Sequence, residues 1–203
     1  MSKDYLKIVT PSGIAIYPHL TQPDTKFNAM GEYKVSLSLT EEEAAPITAK
    51  VDEVMEEAQG MIPPGKRPKV SEPPYYAELD DEGQETGRVI FKFKMKAKVN
   101  TKDGRTIEMS PKLFDAQGTL MTDVDSIWGG SMLRISSELV PYYVAAVGAG
   151  VSMRLKAVQI IELKTGGGGA DATNYGFEAT EGFTAVQEET GQVHGFEVDD
   201  EDF

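Results

Sequence analysis

The chain contains no cysteine, which excludes disulfides, thiolate nucleophiles and the usual structural zinc sites. Its two histidines, His19 and His194, lie far apart in sequence and make a poor metal or acid–base pair. Metal, redox and cofactor chemistry are therefore not expected. No stretch approaches the roughly 18 uninterrupted apolar residues of a membrane-spanning helix, and the opening MSKDYLKIVT has neither an apolar core nor a cleavage pattern. A protein that stays in the cytoplasm where it is made is the expectation. Internal repeats are also lacking, and no lysine or arginine follows Lys164.

That last absence organises the rest. The 203 residues carry a net charge of −13, which taken as an average argues against a polyanionic partner, because phosphate binding is driven by basic side chains releasing counterions. The charge is unevenly placed. Residues 1–164 hold all 20 basic residues against 23 acidic ones, a balance of −3, whereas 165–203 hold 10 acidic residues and no basic one, a balance of −10. With 40% apolar residues, the chain can bury one core of about 150 residues. Thr165 and the run Gly166 to Gly169 read as a flexible linker. The segment beyond has only isolated aromatics, too few to offset an ordering cost of about 1–2 kcal/mol per residue. Two parts are predicted: a folded domain over 1–164 and a linker with a disordered acidic tail over 165–203.

Within the folded part the dominant period is two. YKVSLSL (33–39) alternates with Tyr33, Val35, Leu37 and Leu39 on one face. RVIFKFKMKAKV (88–99) sets Phe91, Phe93, Met95, Ala97 and Val99 against Lys92, Lys94, Lys96 and Lys98. Turn residues at 100–104 predict that 105–114 returns as a partner strand. Further strands are predicted near 6–17, at 132–140 and at 151–163. One helix is predicted from about Ala45 to Gln59, where Ile47, Val51, Val54, Met55 and Ala58 share a face. Thr40 and Glu43 have the spacing of a capping box, but Pro46 would then fall inside the helix, so the later start is preferred. Residues 60–74, with Lys66, Arg67 and Lys69, read as an extended basic loop. Several short strands, one helix and long loops predict a mainly β protein, best matched by an OB-fold, a five-stranded Greek-key barrel, with a β-sandwich as the alternative.

The lysine strand is the most informative stretch. Alternation places Lys92, Lys94, Lys96 and Lys98 in a row about 6.6 Å apart, close to the repeat of an extended phosphate backbone. Like charges so spaced repel unless an anion lies across them, so a polyanion is a reasonable guest; a solvated outer face is the plainer reading. Single-strand binding also needs aromatic faces, and Tyr142 with Tyr143, Trp128, and Tyr75 with Tyr76 are the candidates, each of which could instead pack the barrel. Arg134, in the strand before Pro141, extends the basic strip if it faces the same way. Neither Gly148-Ala149-Gly150 nor the four-glycine run completes a nucleotide-binding motif, and the acidic residues form no catalytic signature.

Several segments together resemble a known family: GEYKVSLSL (31–39), IFKFKMKA (90–97), the stretch 115–163 with its GGSMLRI and LVPY runs, the glycine linker, and the terminal Asp202-Phe203. They are similar to the single-stranded DNA-binding proteins of short-tailed, T-odd-type bacteriophages, and the resemblance spans most of the chain. It implies an OB-fold core, no catalysis, and sequence-independent DNA binding by a basic and aromatic cleft in which Tyr142 stacks. It also implies roles in phage DNA replication and recombination in the cytoplasm of the infected bacterium. Asp199, Asp200, Glu201, Asp202 and Phe203 become a partner-binding tail, with the phage DNA polymerase and primase-helicase as partners and tail exchange as a route to a homodimer. The chain departs from the pattern at Met132 and Ser136, where the family is more basic, and at Val144, where a tryptophan is common. The alternatives are a phage structural or assembly protein without a DNA role and, third, a nuclease.

Overall fold

The computed structural model describes residues 4–26, 28–65, 69–101, 103–124 and 126–164. The predicted linker and acidic tail, with Asp199 to Phe203, lie outside the described residues, as do Lys66 and Arg67 of the basic loop.

The period-two segments form the strands expected of them. In chain order, β1 is Leu6–Val9, β2 Gly13–Asp24, β3 Glu32–Thr40, α1 Glu41–Gly60, β4 Tyr75–Leu79 and β5 Glu85–Lys96. There follow β6 Lys98–Asn100, β7 Thr106–Glu108, β8 Lys112–Phe114, β9 Leu120–Met121, β10 Met132–Val144 and β11 Gly148–Glu162. Five of them close a ring: β2 pairs β3, β3 pairs β5, β5 pairs β11, β11 pairs β10, and β10 returns to β2. All contacts are antiparallel except β5 with β11, where Phe93 and Lys94 run parallel to Met153 and Arg154. This is the five-stranded barrel of an OB-type fold. β1 adds to β10, while β4 extends β5 and the β8–β9 hairpin extends β11.

Inward residues of the ring strands fill the barrel, with Val35, Leu37, Phe91, Phe93, Leu133, Ile135, Leu139, Met153 and Leu155 all buried. The apolar face of α1 joins the same core through Ile47, Val51, Val54 and Met55. Tyr75 also belongs to this packing. Its ring lies 5.7 Å from that of Phe91, and its hydroxyl donates to the Asp52 carboxylate of α1 at 2.8 Å. Burial, reinforced by the Asp52 carboxylate, pushes the phenol up to about 12.

Three sequence expectations need correction. The helix starts at Glu41, and the capping box is real: Glu43 N–H donates to the Thr40 hydroxyl at 3.4 Å, and Thr40 N–H donates to the Glu43 carboxylate at 3.2 Å. Pro46 lies inside the helix. The carbonyl it leaves without a helical partner belongs to exposed Glu42, where water can substitute, so the cap and the acidic first turn outweigh the missing bond. The strand predicted near 6–17 is two strands, broken before Gly13. The return strand predicted over 105–114 is divided: β7 closes a local hairpin with β6, and β8 pairs β11 instead.

Candidate nucleic-acid interface

On β5 the pleat sends Phe91, Phe93 and Met95 inward and exposes Lys92, Lys94 and Lys96. No described residue forms an ion pair with any of these three lysines. Lys92 instead holds its ammonium 4.5 Å above the ring of Tyr76, a cation–π contact. Register extends the charge across neighbouring strands. Lys34 of β3 stands opposite Lys94, and Arg154 of β11 is level with Lys94 on the other side. The band continues with Glu138 of β10 opposite Arg154, and Lys7 of β1 opposite Glu138. With strands about 4.8 Å apart, Lys34, Lys94 and Arg154 form a transverse cationic line crossing the lysine row. A groove of about 550 Å³ along this face is lined by Tyr17, His19, Lys34, Ser36, Lys92 and Lys94, among others.

Two carboxylates hold the flanking cations in place. Asp24 accepts from Lys34, and this hydrogen bond holds the Asp24 carboxyl below its usual value. Glu138 accepts from Arg154 Nε at 3.0 Å and lies 3.6 Å from the Lys156 ammonium. Burial works to raise the Glu138 carboxyl, but the Arg154 hydrogen bond and the fields of Lys156, Arg154 and Lys7 outweigh it and hold the group below 4.5. A carboxyl depressed in the fold stabilises it above the unfolded value and ceases to do so as pH falls through the folded one. Thermal midpoints should therefore drop on acidification below about pH 4.5, and Glu138→Gln should make that acid limb shallower. A variant whose acid limb matches the parent would show that Glu138 carries none of it.

Lys98 does not continue the row. The main chain at Ala97 turns aside, its N–H bonding the Gly31 carbonyl at 3.0 Å and its carbonyl accepting from Met109 N–H at 2.8 Å. Lys98 falls on the β6–β7 hairpin, 3.0 Å from Glu108. Arg134 does not extend the strip either. It pairs in register with Gln159, which is paired to β8 rather than β5, and its guanidinium reaches Thr10 O and Gln159 Oε1, both at 3.4 Å. It sits four residues, about 13 Å, along β10 from Glu138.

Tyr142 lies four residues the other way, half-buried on the same outward face as Glu138. Its ring is laid over Gly150, where an added Cβ would come within 2.6 Å of the phenol oxygen. Tyr143, its half-buried neighbour, is paired with Ala149 at the tip of the β10–β11 hairpin. Neither tyrosine lines the groove that holds Lys92 and Lys94.

Sequence reasoning passed over Lys34, Arg154, Tyr17 and His19. The first two were accessible to it, since the alternation that buries Val35 and Met153 turns Lys34 and Arg154 outward. Tyr17 carried no such signal. Among the described residues no group of three or more His, Asp or Glu side chains is arranged to hold a metal ion, and no helix is long and apolar enough to cross a membrane.

An OB-type barrel with a cationic line across its β3–β5 face is, as a class, an oligonucleotide-binding architecture. Comparison with known proteins specifies the family. Residues 12–163 match the family of the bacteriophage T7 single-stranded DNA-binding protein. The chain is 31% identical to the single-stranded DNA-binding protein of enterobacteria phage T3, over 98% of this chain and 99% of that one. It is 33% identical to that of Escherichia phage T7, over 71% of this chain and 67% of the other. The crystal structure of the T7 protein, gp2.5, superimposes with a TM-score of 0.68 at 29% identity, covering 82% of this chain and 96% of that one. The chain belongs to this family of phage single-stranded DNA-binding proteins, which bind DNA without being enzymes. The protein of bacteriophage Enc34, solved in complex with single-stranded DNA, shares the fold, with a TM-score of 0.59 at 14% identity over 78% of this chain and 88% of that one.

Proposed function

We propose that single-stranded DNA lies across the outward face of β3, β5 and β11, with its phosphates on Lys92, Lys94, Lys96, Lys34 and Arg154 and no sequence preference. The observation that carries this reading is the set of three outward lysines without anionic partners among the described residues, flanked in register by two further cations. Bases then stack on aromatic rings bordering the strip, with exposed Tyr76 beside Lys92 and half-buried Tyr142 and Tyr143 toward the hairpin. In this reading Lys98 and Arg134 contribute at most through the long-range field. The work performed is coating of single strands during phage DNA replication and recombination in the cytoplasm of the infected cell.

The acidic segment completes the proposal. Ten negative charges with no positive one, tethered to a cationic face at an effective concentration on the order of millimolar, compete with DNA intramolecularly. Displaced by DNA, Asp199, Asp200, Glu201, Asp202 and Phe203 become available to the polymerase and the primase-helicase, with Phe203 as an apolar anchor among charges. The same segment can reach a second copy's face and make a dimer by exchange.

Salt-dependent titration of fluorescent oligonucleotides with full-length and tail-deleted protein tests both parts. Five to seven phosphate contacts give a log–log slope of about −3.5 to −5. Deleting residues 170–203 should tighten binding about tenfold at low salt and have little effect where salt screens the tail, and it should abolish capture of the phage polymerase. Equal affinity for duplex and single strand would refute the binding mode. Unchanged affinity and unchanged capture on deletion would leave the tail a solubilising role alone.

A further inference from the structure

The bulge in β2 makes an aromatic ridge beside the lysine groove. Ile16 pairs with Ser36 and His19 with Lys34, so Tyr17 and Pro18 together stand opposite one residue of β3. Tyr17 adopts φ +47°, and no other described residue except glycines has a positive φ. A bulky residue in this region is an outlier, and bulges of this kind re-aim a side chain. Here the ring is turned out until it is 83% exposed. A core role cannot account for such a placement.

Across the ridge lies a second groove of about 870 Å³, lined by Ile14, Ile16, Tyr17, Ile127 and Trp128 among others. The main chain at Trp128 is fixed: its N–H bonds Lys164 O at 3.1 Å, and its carbonyl accepts from the Ser131 hydroxyl at 2.8 Å. Ile127 is buried in the core, while Trp128 beside it stays 50% exposed. Among the described residues lining this groove, none is Asp, Glu, Lys or Arg. Tyr17 and His19 line both grooves, so the two adjoin at the ridge.

We infer that a bound single strand leaves the lysine groove over the Tyr17 ridge and lays unpaired bases against Tyr17 and Trp128 in the second groove. This extension rests on the binding mode proposed above. Adjacency to the cationic face selects the occupant. A strand held by its phosphates on Lys92 and Lys94 meets aromatic rings next, and rings without fixed charges suit bases whose phosphates remain in water. Binding in this groove therefore adds affinity without adding counterion release.

Trp128 is the only tryptophan in the chain, so its emission reports on this groove alone. The full-length protein is titrated with oligothymidylates of increasing length. Short oligomers should bind with little change in emission, and longer ones should quench it as they cross the ridge. Trp128→Leu, and Tyr17→Asn, whose side chain tolerates the left-handed backbone, should each weaken binding of long oligomers about tenfold while leaving the salt slope and the thermal midpoint unchanged. Long oligomers that leave the emission of the parent protein unaltered and bind both variants with parental affinity would overturn the inference and leave the lysine site standing. Emission that changes with protein concentration alone, and not with DNA, would overturn it by marking the groove as a contact between copies. No binding of any oligomer would instead refute the underlying mode.

Discussion

Replacing Lys92, Lys94 and Lys96 together with alanine should weaken single-strand binding about a hundredfold near 0.1 M salt and make the log–log salt slope shallower by about 2. The estimate follows from counterion release. Each phosphate neutralised on a single strand contributes about 0.7 to the slope, and between 0.1 M and 1 M salt each is therefore worth about 0.7 of a decade in affinity. The variant should fold normally, because all three side chains are exposed and none has an ion-pair partner among the described residues. Lys98→Ala serves as the internal comparison. Already engaged by Glu108 on another hairpin, it should change affinity by less than about threefold. A triple variant that kept the parental slope, with circular dichroism unchanged, would move the phosphate path off β5.

Alternation is a local property, and wherever the fold depends on it the sequence was legible. The buried faces of β3, β5, β10 and β11 are those the period predicts, and the face of α1 that packs on the barrel holds the five residues assigned to it. What alternation cannot encode is pairing between distant strands. Nothing in FKFKMK or in VSMRLKAV says that Lys94 and Arg154 lie side by side on parallel strands, because that register is fixed by packing inside the closed ring. The row was consequently drawn too long in one direction and too narrow in the other. It stops at Ala97, where the main chain finds partners in Gly31 and Met109, and it widens sideways onto Lys34 and Arg154. Arg134 fails to join it for the same reason: parity along β10 is right, but its neighbour across β11 belongs to β8.

The aromatics divide by a related logic. Proline, glycine and tyrosine in a row mark a chain end or turn, not which way a ring faces. Tyr75 and Tyr76 are adjacent in sequence, yet one is packed against Phe91 and tied to Asp52 while the other stands outside under Lys92. Tyr17 was invisible because its exposure comes from a bulge, and a bulge is a mismatch between two strands that neither announces alone. The charge split between 1–164 and 165–203, by contrast, needs no fold to be read.

Gly13→Val should be the most damaging single substitution in the barrel, costing about 3 kcal/mol or more. Gly13 pairs with Leu133 of β10 while the next residue, Ile14, pairs with both Met132 and Ser38, so the ring closes at this point. A Cβ there would lie 2.6 Å from Leu39 Cδ2 and 2.7 Å from the Ser38 carbonyl oxygen. Leu39 is buried and could change rotamer only into an occupied core. The carbonyl accepts from the Arg88 guanidinium at 3.0 Å, on a residue paired with both Ile14 and Ile90, so it cannot withdraw without disturbing both neighbours. Either β2 separates from β3 or the closure with β10 opens, and in a domain whose total stability is about 5–15 kcal/mol the loss is a large fraction. The measurement is a denaturant or thermal midpoint with oligonucleotide affinity alongside. Because β2 carries Tyr17 and His19 into both grooves, a folded remnant should also bind DNA more weakly. A variant with parental midpoint would mean that β2 can shift outward by a few tenths of an ångström at no cost, and would refute the expected clash with Leu39 and Ser38.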